Sequence, residues 1–225
     1  AKLKWVGNQV AAGNNAIKGV LLNDIDFTEY GKIVTNGDFY GELDGQFHTL
    51  TIKIDDNQAN PSPILNLYGT VKNLKVAGSI AAGTQKFAAA IAAHAWGGKV
   101  YNCTASIDIT TAVNGDGTHA GLVAVADGGL DIRYCLFNGT IKNVDEAATT
   151  SSGGIVGWSS GATTMVGCIF MPTDMDPGIV EYTGSRNPGN LKAQGCYYVF
   201  PEGVDTGGTG INDGFEIVDE ATLAS

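Results

Sequence analysis

Asp38, Glu42, Asp44 and His48 form the densest run of titratable side chains in the chain, with Asp24 and Asp26 shortly before them. Two chemistries use such a set. A glycoside hydrolase needs two carboxyl groups flanking the scissile bond at a suitable separation. A calcium-dependent polysaccharide lyase needs a carboxylate cluster for the metal and an Arg or Lys as base. Asp38, Glu42 and Asp44 are therefore the candidates should this be an enzyme. A plainer reading competes with both. Asp44 precedes Gly45 and accepts backbone N–H groups in its own turn, and His48 packs beside a corner. The plainer reading outweighs catalysis, so no catalytic residue is assigned.

A second set suits binding. Arg133 and Tyr134 directly precede Cys135; if Cys135 points inward, alternation along a strand turns Tyr134 outward. Tyr101 and Asn102 hold the same places one repeat earlier. With Asp131 and Lys99 nearby, Tyr101, Asn102, Asp131, Arg133 and Tyr134 make a candidate sugar-stacking face. Trp96 and Trp158 fall near equivalent turns, two positions out of register, where corner packing is favoured over an aromatic rim. His94 and His119 do not align, which argues against a row of metal ligands. The connector Asp205–Asp213 is rich in Asp, Gly and Asn, so calcium is the one cation to weigh. It lacks the regular ligand spacing of a calcium loop, and no metal site or cofactor is assigned. There is no phosphate-binding, dinucleotide-binding or Ser/His/Asp motif.

The elements that must position these residues are announced by a repeat. Three segments, AAAIAAHAWGGKVYNCTASIDI, AGLVAVADGGLDIRYCLFNGTI and GGIVGWSSGATTMVGCIFMPTD, align on their cysteines. Cys103, Cys135 and Cys168 are 32 and 33 residues apart, and Cys196 follows after 28. A fixed period of roughly 20–50 residues signals a stacked array. Each repeat holds apolar runs of four to seven residues rich in Val, Ile, Thr and Cys, joined by glycine turns. Paired helices would need longer runs rich in Ala, Leu, Glu and Lys, and a propeller blade needs about 40–45 residues. The spacing thus predicts an all-β chain: a single-stranded, right-handed parallel β-helix of about five coils. Leu50, Ile52 and Ile54 alternate with Thr49, Thr51 and Lys53, and Leu74 matches Cys103. The cysteines are then stacked neighbours about 4.8 Å apart. A buried row of thiols is favoured; a disulfide pair remains the alternative, although parallel side chains suit that bond poorly. Metal binding has no CxxC pair to support it.

Residues 1–36 read as an N-terminal cap and first strand. A short helix there places Trp5, Val6, Val10 and Ala11 on one face, covering the open end of the array. Residues 37–171 are the coils. Residues 172–225 hold a proline-rich excursion, a last strand around GCYYVFPEG and a C-terminal extension. The whole is read as one continuous domain. The start at Ala1 and the stop at Ser225 carry no targeting or tail signal, so it reads as an excerpt of a longer protein.

Composition narrows the partners. The net charge is −10 and only two arginines are present, which excludes the basic footprint of a nucleic-acid binder. No apolar run approaches the roughly 18 residues of a membrane span. High glycine with 44% hydrophobic residues fits many tight turns between short buried runs and not a disordered chain.

The segment DGQFHTLTI resembles the strand entry of many parallel β-helix proteins. The three cysteine segments are similar to the GGLVGxxxGGxIxNC repeat of GLUG-type segments, and the stretch Val20–Asp26 resembles a lead-in common in such proteins. The resemblance spans about residues 10–170. It implies a secreted or surface-attached bacterial protein, adhesins among them. The expectation is a non-catalytic, extracellular or cell-surface domain for adhesion or carbohydrate binding. It would be monomeric and met by glycans or host surface proteins. A β-helix polysaccharide lyase or glycoside hydrolase is the first alternative and a structural spacer the second.

Overall fold

Short apolar runs separated by glycine corners cannot close a core within one repeat, so each coil buries its inner side chains against the coil before and after. The computed structural model describes residues 2–55, 58–144, 151–176, 178–200 and 208–223. It is a β-solenoid of about six turns, one more than the cysteine spacing suggests. Among the described residues, every inter-strand pairing is parallel.

Three strips of strands wind around the axis. The first face carries Val34–Phe39, Ile64–Leu67, the leading halves of Ala92–Tyr101 and Val123–Arg133, and Val156–Ser159. The second carries Lys18–Val20, Glu42–Asp44, Thr70–Lys72, the trailing halves of the same two long strands, Thr163–Val166 and Leu191–Gln194. The third runs from Ile25–Asp26 through Thr49–Ile54, Lys75–Ala81 and Thr104–Thr111 to Cys196–Val199 and Phe215–Val218. Two long strands bend through the corner between the first and second faces. Elsewhere that corner is a glycine turn.

Register sorts the core into ladders. Ile25, Leu50, Val76, Ala105, Phe137, Phe170 and Tyr198 follow one another inward, coil upon coil. The rings of Phe137 and Phe170 stack at 5.8 Å, and those of Phe170 and Tyr198 at 5.4 Å. Beside them runs the thiol row. Cys103, Cys135, Cys168 and Cys196 are all free and buried, and the backbone N–H groups of Cys103 and Cys168 point at the next sulfur, 3.4 Å away.

The helix Lys2–Ala11 lies against the N-terminal end of the first face. Its buried residues are Leu3, Val6, Gly7 and Val10, the i, i+3, i+4, i+7 stripe of an amphipathic helix. This corrects the sequence-based face: Trp5 and Ala11 point to solvent, and Leu3 takes the inward place. Gly7 explains the fit, because a Cβ there would come within 1.8 Å of the Ile33 carbonyl oxygen. No helix among the described residues is long and apolar enough to cross a membrane.

Candidate functional site

The residues expected to bind lie on the second face, where outward side chains form axial rows. Glu42, Thr70, Lys99 and Asp131 make one row; Asp44, Lys72, Tyr101 and Arg133 make the next. Tyr101 donates its hydroxyl proton to Asp131 Oδ2 at 2.6 Å, and Arg133 Nε donates to Asp131 Oδ1 at 2.7 Å. Both carboxylate oxygens of Asp131 are thereby engaged. Burial opposes its charge, but the bonds from Arg133 and Tyr101 overcome this and hold the carboxyl below its ordinary value. Partial burial, then the Asp131 contact, pushes the Tyr101 phenol up to about 12.

Asn102 turns toward the preceding coil and donates to Asn73 Oδ1 at 3.2 Å; Asn73 in turn donates to Asp44 Oδ1 at 3.0 Å. Tyr134 takes the equivalent left-handed corner one coil later, with its ring across Gly167. At 63% exposure it faces solvent as expected. So Tyr101, Asp131 and Arg133 meet, while Asn102 and Tyr134 belong to the corner beside them. The set is largely satisfied by its own contacts.

The candidate acids separate. Glu42 and Asp44 flank Lys72 Nζ, at 3.1 Å and 3.6 Å. Asp44 also accepts the Gln46 backbone N–H at 2.9 Å, the turn contact read from its sequence. Asp38 lies around the corner on the first face, where Asn66 donates to it at 2.9 Å. His48 Nδ1 lies 3.4 Å from Asp24.

The first face carries an arrangement that the sequence reading left unassembled. Its outer row is Asp38, Asn66, His94, Val125 and Trp158, in register, with Val125 buried under Phe87 and Trp158. Along the adjoining corner, Tyr40 and Tyr68 stack at 4.3 Å, and Tyr68 and Trp96 lie nearly parallel at 6.3 Å. The two rows touch electrostatically. Desolvation, then the Asp38 carboxylate, the contact with Tyr40 and last the Asp127 carboxylate raise the Tyr68 phenol above its ordinary value. His94 Nδ1 is 2.7 Å from Asp127 Oδ2, and Phe87 packs on the His94 ring at 4.8 Å.

Farther along, this surface deepens into a groove of about 240 Å³ lined by Phe87, Asp116, Asp127, Trp158, Ser160 and Arg186, among others. Arg186 is its keystone. The guanidinium lies 4.9 Å from the Trp158 ring centre, donates from Nη1 to the Ser151 carbonyl at 3.0 Å and pairs through Nη2 with Asp116. No protein-family model matches this chain. No curated protein and no solved structure matches it either. The groove has a chemistry of its own.

That chemistry combines aromatic rings, carboxylate acceptors, an amide and a hydroxyl along one open strip. Trp96 and Trp158 do not form a common rim: Trp96 stacks with Tyr68 at the corner, and Trp158 stands on the neighbouring row under Arg186. Among the described residues, no group of three His, Cys, Asp or Glu is placed to hold a metal ion. Residues 205–207 of the Asp205–Asp213 connector lie outside the described residues, and Asn212 within it is buried and hydrogen-bonded to the backbone of Gly184 and Ser185.

Proposed function

We propose that this chain is a non-catalytic β-helix domain of the GLUG-type, secreted or held at a bacterial cell surface, that binds glycans and so serves adhesion. The observation that carries the reading is the first-face strip, where a corner row of Tyr40, Tyr68 and Trp96 runs beside Asp38 and Asn66 and leads to a groove lined by Asp127, Trp158 and Ser160. Sugar hydroxyls pair with carboxylates, amides and aromatic ring edges, and this strip supplies all three. A rigid parallel stack holds those groups in place without a folding step on binding.

A glycan array probed with the intact chain tests this, with Trp158→Ala as the matched control. Binding in at least one sugar class, weakened in the variant while its circular dichroism is unchanged, supports the reading. Absence of binding in every class would leave a structural spacer.

One observation favours a hydrolase as the second reading: Asp116 and Asp127 line the same groove. Release of reducing ends from a polysaccharide panel, abolished by Asp127→Asn, would establish it. Asp116 is already paired with Arg186, and Asp127 with His94, which suits fixed acceptors better than a proton-transferring pair.

A further inference from the structure

Granted the glycan-binding reading, on which this rests, we infer that the ligand is a linear, unbranched and uncharged polysaccharide lying parallel to the solenoid axis across several coils.

Direction comes from register. Asp38, Asn66, His94, Val125 and Trp158 occupy one row, a single residue per coil. Four strand spacings of ~4.8 Å separate its ends by roughly 19 Å. Tyr40, Tyr68 and Trp96 run beside it in the same direction. Two parallel rails of this kind fit an extended chain. They do not form the closed pocket that would surround one terminal sugar.

Length follows from the weakness of each contact. Tyr68 is stacked between Tyr40 and Trp96, so the corner row presents ring edges more than open faces. Ring edges are the positive part of the aromatic quadrupole and attract hydroxyl oxygens, but each such contact is small. Arg186 occupies one side of the Trp158 indole. With both faces of Tyr68 and one face of Trp158 taken, affinity accumulates along the strip.

Charge sets the class. Asp38, Asp116 and Asp127 face this surface, and its basic side chains are already engaged. Arg186 is paired with Asp116, Ser151 and Trp158, and His94 with Asp127. Lys86, exposed beside Phe87, does not line the groove. A polyuronate would bring further carboxylates toward three that have no spare cation, in a protein of net charge −10. Neutral hydroxyls can donate to those carboxylates instead.

The test titrates the intact chain with neutral β-linked gluco-, manno- and xylo-oligosaccharides as dimer, tetramer and hexamer, with a branched neutral glycan of hexamer size and with a hexuronate. Affinity for one neutral linear series should rise by on the order of tenfold or more from dimer to hexamer. Tyr40→Ala and Trp158→Ala, at opposite ends of the strip, should each weaken the hexamer. Equal affinity for dimer and hexamer, preference for the branched glycan, or loss from only one of the two variants overturns the axial arrangement. Preference for the hexuronate overturns the charge class while leaving glycan binding intact. Failure of every glycan, array included, overturns both.

Discussion

Arg186 lies 4.9 Å from the centre of the Trp158 ring, with its side chain only 8% exposed. One guanidinium thus joins a strand of the first face to the Ser151 backbone and to Asp116. Lysine cannot reproduce this, because it lacks the planar fork that stacks and donates in two directions at once. Arg186→Lys is expected to cost about 1–2 kcal/mol of stability. Urea unfolding measures the cost, and a shift in tryptophan emission reports Trp158. An unchanged midpoint and spectrum would show that the stack carries no energy.

On the second face, Tyr101 ionises at about 12 because it is partly buried and donates to the Asp131 carboxylate. Asp131→Asn removes the negative acceptor but keeps a side chain of the same shape. The phenol is then expected to ionise at lower pH, with the burial contribution remaining. Ultraviolet difference titration against Tyr101→Phe isolates this one ring among the eight tyrosines. No movement on removing Asp131 would place the whole effect in burial.

The parts of this fold that the sequence announces are those with a constant period. Cys103, Cys135 and Cys168 predicted a buried row, and Tyr101 and Arg133 were correctly matched across coils because they sit at fixed distances from those cysteines. The aromatic corner was missed for the same reason. Tyr40-Gly41, Tyr68-Gly69 and Trp96-Gly97 recur every 28 residues, the period of the earlier coils, which an alignment on cysteines does not sample. An aromatic residue before a turn glycine was the available signal. Asp38 and Glu42 look adjacent in the chain, yet the Tyr40-Gly41 corner sends them to different faces. Arg186 lies within the proline-rich excursion, where no repeat predicts its neighbours.

Gly78 sits inside the strand Lys75–Ala81 with φ near +107°, and a Cβ there would lie 2.0 Å from the Ile52 carbonyl oxygen. Neither the backbone angle nor the neighbouring strand can yield cheaply. Gly78→Ala is expected to cost about 3 kcal/mol or more. Gly97 also has positive φ, at +80°, but a Cβ there meets nothing within 4 Å. Gly97→Ala should therefore cost only about 1–2 kcal/mol. Urea midpoints for the two variants give the comparison, and equal losses would refute the steric account.

The thiol row predicts a chemical silence. All four thiols are buried, so reagents cannot reach them in the folded chain. The native chain should resist a thiol-specific reagent at pH 8 and release four equivalents in denaturant. Rapid labelling of the folded chain would mean that the coils open locally at this face.

His119 gives the fold an acid limit. Its ring is fully buried and neither nitrogen makes a hydrogen bond of good geometry; the backbone of Gly117 is the polar group that acts on it. Burial lowers its ionisation to about 4, against an ordinary value of 6.5. Below pH 6.5 the unfolded chain takes up a proton that the folded chain refuses. The neutral ring's contribution is therefore complete above about pH 6.5, falls as pH drops, and is lost near pH 4. The difference amounts to about 3 kcal/mol. His119 follows Thr118, which lines the groove and donates to Asp116, the partner of Arg186, so this wall should loosen first. His119→Leu removes the proton site. Urea unfolding at pH 7 and pH 4.5 should show a smaller acid loss in the variant than in the parent, and an equal loss in both would assign acid sensitivity to other groups.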